Sequence, residues 1–158
     1  MKHEQMLDRL VENALDFLER SVADFDDAPK YSVIHFYAAV ELFLKARLLA
    51  EHWSLVVAKR QDPDLKKFES GDFQSVTLDE AVDKLDKVLQ SPLTPAEISQ
   101  FRNLAKHRNR MVHFFHEGAT EKAQDDLKQQ IAKEQLRAWY FLNRLLLERW
   151  DTVFGKWR

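Results

Sequence analysis

The chain contains no cysteine, which excludes both a disulfide framework and a thiolate zinc site. It has only three glycines and four prolines in 158 residues. So few turn formers argue against the many tight turns of a β-sandwich or barrel. No apolar run approaches the ~20 residues that a membrane-spanning helix needs. Met1-Lys2-His3-Glu4-Gln5 leads into a polar helix and not into the apolar core of a signal peptide. A cytoplasmic, reducing location is therefore expected. The formal net charge is −2, so the chain as a whole is not built to bind polyanions. One stretch departs from that balance. Ile98 to His116 has no acidic residue, yet carries Arg102, Lys106, Arg108 and Arg110 with His107, His113 and His116. Local positive charge attracts phosphate whatever the overall charge.

Apolar residues recur at helical spacing through most of the chain. Met6, Leu10, Ala14, Phe17, Leu18 and Val22 mark a first helix from His3 to about Phe25. A second runs from about Tyr31 to Trp53, or as far as Lys59, and is apolar on most sides, the pattern of a central helix. Arg60 to Val76 shows little periodicity and reads as a loop. Thr77-Leu78-Asp79-Glu80 is a capping-box pattern opening a short helix to about Gln90. Thr94-Pro95-Ala96-Glu97 combines an N-cap threonine, a proline at the first helical position and a glutamate three after the cap. The helix it opens should end near Gly118. A last helix is expected from about Thr120 to Phe154, its Trp139, Tyr140, Trp150 and Phe154, with Trp157 just beyond, packing in a core or dimer interface. The expected fold is a single all-α bundle of about five helices covering residues 1–158.

The run Arg108-Asn109-Arg110-Met111-Val112-His113 breaks the ordinary pattern. One stripe of its helix reads Ile98, Phe101, Ala105, Arg108, Val112, Phe115: five apolar residues and an arginine. An isolated charge in an apolar seam is costly, so a chain that keeps one there is expected to use it. Arg102, Lys106, Asn109, His113 and His116 share a polar stripe. At ~100° per residue, Arg108 and His113 diverge by roughly 140° on an ideal helix. Either the helix deforms near Val112, the long arginine bends around the surface, or a second copy of the chain completes the site. Two overlapping runs, Arg102 to His107 and Arg110 to His116, also pair an arginine with a histidine. Arg108 and His113 are preferred for the flanking Met111-Val112 pair and the seam position. Glu41 and Lys45 form an i, i+4 pair on the apolar second helix, and a buried arginine needs an acceptor. Glu41 is therefore expected within reach of Arg108, the pair helping to orient it. His113 and His116 have no third ligand at suitable spacing, so neither a metal nor a cofactor is expected.

These residues resemble the Arg-x4–6-His signature of the HEPN superfamily of helical domains. The match rests on Arg108 and His113, the polar Asn109, the apolar Met111-Val112 and the aromatics after the histidine. The Ala38-x-x-Glu41-x-x-x-Lys45 pattern and the place of the motif in the penultimate helix extend it. The resemblance implies a metal-independent endoribonuclease whose two motifs meet in a homodimer cleft. Arg108 and His113 would act on the scissile phosphate with support from Asn109. Arg102, Lys106, Arg110 and His116 would contact RNA phosphates. The chemistry suits the residue types: arginine offers planar, permanently charged donors, histidine exchanges a proton near neutral pH, and RNA supplies its own 2′-hydroxyl nucleophile. Relatives of this kind serve as toxins of toxin–antitoxin pairs or in defence against phage. The alternative is a non-catalytic module of the same fold that binds a nucleotide or a partner protein such as a nucleotidyltransferase. One toxin branch carries a tyrosine two residues after the histidine that a partner enzyme modifies. Phe115 stands there, so that regulation is not expected.

Overall fold

The computed structural model describes residues 2–113 and 120–157, with the side chain of His113 outside the description. The described residues form seven α-helices and no strand: α1 (His3–Asp24), α2 (Pro29–Glu51), α3 (Leu65–Ser70), α4 (Leu78–Lys87), α5 (Pro95–His113), α6 (Glu121–Arg144) and α7 (Asp151–Phe154). Among them, no helix is long and apolar enough to cross a membrane. The all-α class is as the periodicity predicts. Two of the expected boundaries are not.

The first correction concerns Arg60 to Val76, which is not simply a loop. It holds α3, capped at its start by Asp64, whose carboxylate accepts from the Lys67 N–H at 3.2 Å. Gly71 ends the helix at φ 80°, with its N–H on the last carbonyls. That left-handed backbone suits glycine and costs other residues ~1 kcal/mol or more. An added methyl would meet nothing within 4 Å, so Gly71→Ala should lose about 1 kcal/mol from backbone strain alone. Urea denaturation would test this, and an unchanged midpoint would refute it. The segment is tied down by an isolated bridge between Val57 and Ser75. Ala58 N–H donates to the Gln74 carbonyl at 2.8 Å and Val76 N–H to that of Val56 at 2.9 Å. These contacts are non-local, which is why helical periodicity missed them.

The second correction concerns the expected single helix to Phe154. The regular α-helix stops at Arg144, and Leu145–Arg149 widens into a π-helical turn before α7. Trp150 N–H reaches the Leu145 carbonyl at 2.7 Å. The wider turn buries Leu145, Leu146 and Trp150 together. Arg149 is aimed back at the start of α5, where Nη1 donates to Glu97 Oε1 at 2.6 Å. Nη2 donates to the Pro92 carbonyl.

Helix α2 is the centre, as its near-uniform apolarity predicts. It buries Val33, Phe36, Tyr37, Val40, Phe43, Leu44, Leu48 and Leu49, and it packs against α1, α4, α5 and α6. Burying each large apolar side chain contributes ~1.5–3 kcal/mol. Buried hydrogen bonds align its neighbours. Ser32 Oγ donates to the Ser21 carbonyl of α1 at 2.6 Å, and Gln135 of α6 donates to Ser32 Oγ at 2.9 Å. Helices α5 and α6 run antiparallel, joined by His107 and Glu134 at 2.5 Å, and Glu97 of α5 meets Arg149 of the π-helical turn beyond α6. Helix α5 begins as its sequence predicts. Thr94 N–H donates to Glu97 Oε1 at 2.7 Å, and Glu97 N–H to Thr94 Oγ1 at 3.2 Å.

Candidate active-site cleft

The inward line of α5 is Glu97, Gln100, Phe101 and Leu104, all buried. One turn further on, Arg108 is half-buried and Val112 is 48% exposed. The expected apolar stripe through Arg108 to Val112 therefore does not hold. The helix leaves the core as it nears its C-terminal end, and Arg108 sits at the margin. Phe115, the last member of the stripe, and His116 lie outside the described residues.

At that margin a cleft of about 600 Å³ opens between α2, the N-terminal end of α4 and α5. Helix α2 lines it with Tyr37, Glu41 and Lys45, at successive turns of one face. Helix α5 contributes Arg102, Ala105, Lys106, Arg108 and Asn109, and Ser75 to Asp79 close the third side. The sequence-derived set thus converges in part. Arg102, Lys106, Arg108, Asn109, Glu41 and Lys45 share the cleft, whereas Arg110 is exposed and does not line it.

The Arg108 guanidinium lies over the Tyr37 ring, 5.9 Å from its centroid. Its Nη1 donates to Asn109 Oδ1 at 2.9 Å. No ion pair joins Arg108 to a carboxylate among the described residues, Glu41 included, and none joins Glu41 to Lys45. Glu41 thus lines the same cleft as Arg108 without an ion pair to it. Tyr37, one turn before Glu41, takes the guanidinium on its aromatic face instead. Such cation–π contacts contribute ~0.5–1 kcal/mol at exposed sites. Burial pushes the Tyr37 phenol above its usual range, the Glu41 carboxylate adds to the rise, and Arg108 opposes it. The hydroxyl is thus a proton-bearing donor at neutral pH. Tyr37 was missed as a site residue because it reads as one more aromatic of a core helix. The signal present was its i, i+4, i+8 alignment with Glu41 and Lys45.

No protein-family model, curated protein or solved structure matches this chain.

The other cations of α5 are differently placed. Arg102 grips Asp79 with Nε at 2.9 Å and Nη2 at 2.8 Å. His107 turns the other way, onto Glu134 of α6. The Arg102 and His107 pair therefore diverges, and each member is held by a carboxylate. His113 is the last described residue of α5, one turn beyond the Arg108 and Asn109 pair, and the expected helix end near Gly118 lies outside the described residues. Among the described residues no cluster of three His, Asp or Glu side chains could hold a metal ion.

Proposed function

We propose that this chain is a HEPN-type, metal-independent endoribonuclease that acts as a homodimer in the cytoplasm, in a toxin or phage-defence role. The observation that carries the reading is Arg108. It is a guanidinium at a cleft edge, held by an aromatic face and an amide oxygen, with no ion pair to a described carboxylate. Such a group is ready to take a phosphate oxygen through two parallel donors. Asn109 fixes its direction. His113 exchanges protons. The 2′-oxygen of RNA bonds to phosphorus as an imidazole removes its proton. The P–O5′ bond then breaks, and the 5′-oxygen leaves with a proton from a second imidazolium, that of His113 in a second chain. The products are a 2′,3′-cyclic phosphate and a 5′-hydroxyl. Arginine stabilises the charge gathered on the phosphate, a task that elsewhere falls to metal ions.

The purified protein should cut single-stranded RNA in the presence of EDTA, leave DNA of the same sequence intact and yield 2′,3′-cyclic ends. Light scattering should give twice the chain mass. Cutting by a strict monomer would remove the composite site, and cutting of DNA would remove the 2′-hydroxyl mechanism.

A second reading is favoured by a separate observation. A groove of about 640 Å³ at the N-terminal end of α2 is lined mainly by apolar side chains, including Phe25, Tyr31, Val33, Met111, Leu127 and Ile131. Beside it Val22, Leu136 and Tyr140 are more than half exposed. A non-catalytic helical module that docks a partner protein would present such a face. Absence of RNA cutting, with a partner retained by Arg108→Ala, would favour this reading.

A further inference from the structure

The α5 cleft does not end at α4. Ser75 and Thr77 form its far wall and are at the same time the near wall of a second depression, lined by Ala58, Lys59, Arg60, Gln74 and Glu80. We propose that a single RNA strand held in the α5 cleft continues across Ser75 and Thr77, and that Lys59 and Arg60 bind its next phosphates. This rests on the ribonuclease reading and sets the direction in which the substrate leaves the cut site.

Charge supports the path. Along the two depressions stand six cations, Lys45, Arg102, Lys106, Arg108, Lys59 and Arg60, against three carboxylates, Glu41, Asp79 and Glu80. Two of the three are already engaged. Asp79 is held by Arg102. Glu80 accepts the Lys59 backbone N–H at 2.6 Å and the Thr77 hydroxyl at 3.3 Å. Six cations against three carboxylates leave this track at a local net charge of +3 in a chain of net charge −2. The ridge between the depressions carries small hydroxyl side chains, which let a sugar–phosphate backbone pass.

The cations at the far end are anchored. The Val57 and Ser75 bridge joins their segment to the cleft wall. Lys84 Nζ holds the carbonyls of Leu55 and Val57 at 3.0 and 2.9 Å. Arg60 donates from Nε to Gln74 Oε1 at 2.8 Å, which orients the guanidinium while its terminal nitrogens make no bond to described residues. Beyond Arg60 the next depression contains Asp62, Asp64 and Asp72, so the favourable track stops there. On this path Arg110, which does not line the cleft, makes no contact with the strand.

The test uses the full-length protein and a fluorescein-labelled, single-stranded 2′-O-methyl RNA, which has no 2′-hydroxyl to attack. Anisotropy is read over a range of salt concentrations. Lys59→Glu with Arg60→Glu should weaken binding at least tenfold and flatten the slope of log affinity against log salt by about 1.4, at ~0.7 for each single-strand phosphate left without its cation. Lys66→Glu on neighbouring α3 should change neither. The double variant should still cut a dinucleotide, which fills the α5 cleft alone, at the wild-type rate. Unchanged affinity and slope in the double variant would overturn the path and leave the ribonuclease reading standing. Wild-type protein that neither binds the strand nor cuts RNA would overturn both.

Discussion

Arg108→Ala should reduce RNA cutting by about two to three orders of magnitude, the loss typical when one preorganised donor to a transition-state charge is removed. The fold should survive, because Arg108 is half-buried at the end of α5 and packs mainly on the Tyr37 ring. Arg108→Lys keeps the charge and loses the planar fork, so it should recover little activity. Arg102→Ala should fall only a fewfold, because that guanidinium is already committed to Asp79. The contrast is the informative part. Equal losses at both positions would mean that general basicity, and not a placed donor, drives the reaction. A dead Arg102→Ala beside an active Arg108→Ala would move the site to the overlapping run. Single-turnover cleavage with circular dichroism of each variant separates these outcomes.

The largest stability effect is expected at Glu97, where no chemistry is at stake. Its side chain is 5% exposed, and one carboxylate oxygen accepts from both the Thr94 N–H and Arg149 Nη1. Glu97→Ala leaves the Thr94 N–H without its acceptor and the Arg149 guanidinium without its carboxylate. Breaking a buried ion pair costs ~3–5 kcal/mol. Arg149 is a third exposed, so solvent recovers part of that, and about 3 kcal/mol is expected. For a chain of this size the melting temperature should fall by roughly 10 °C. Glu97→Gln keeps an acceptor for the cap and should lose less. A fall of only a degree or two in Glu97→Ala would mean that the contact between the π-helical turn and α5 is incidental.

The two positions show how differently sequence and structure speak. The role of Glu97 at the head of α5 was legible, since Thr94-Pro95-Ala96-Glu97 is a local signal and caps are local physics. Its second role, as the acceptor for Arg149, was not. It depends on a π-helical widening about fifty residues away. Arg108 stood out as a charge in an apolar stripe, but that stripe does not continue to Val112. An ideal helix continues its apolar stripe indefinitely, whereas α5 leaves the core at its C-terminal end and exposes Val112. The acceptor sought for the arginine was a carboxylate, Glu41. The neighbour found is Tyr37, one turn away on the same face, because a guanidinium at a cleft rim lies over an aromatic ring without needing a buried counter-charge.

The sequence by itself determined the all-α class, the starts of α4, α5 and α6, the central place of α2 and the absence of acids from Ile98 to His116. All of these follow from periodicity, capping and composition, which act within a few residues. Only the tertiary structure decided that residues 57–76 are anchored by a backbone bridge and a lysine, and that the last helix widens at Leu145. It also decided which cations of α5 are spent on carboxylates and which face an open cleft. Those outcomes depend on partners brought together from distant parts of the chain, and residue spacing along one helix carries no information about what another helix places opposite it.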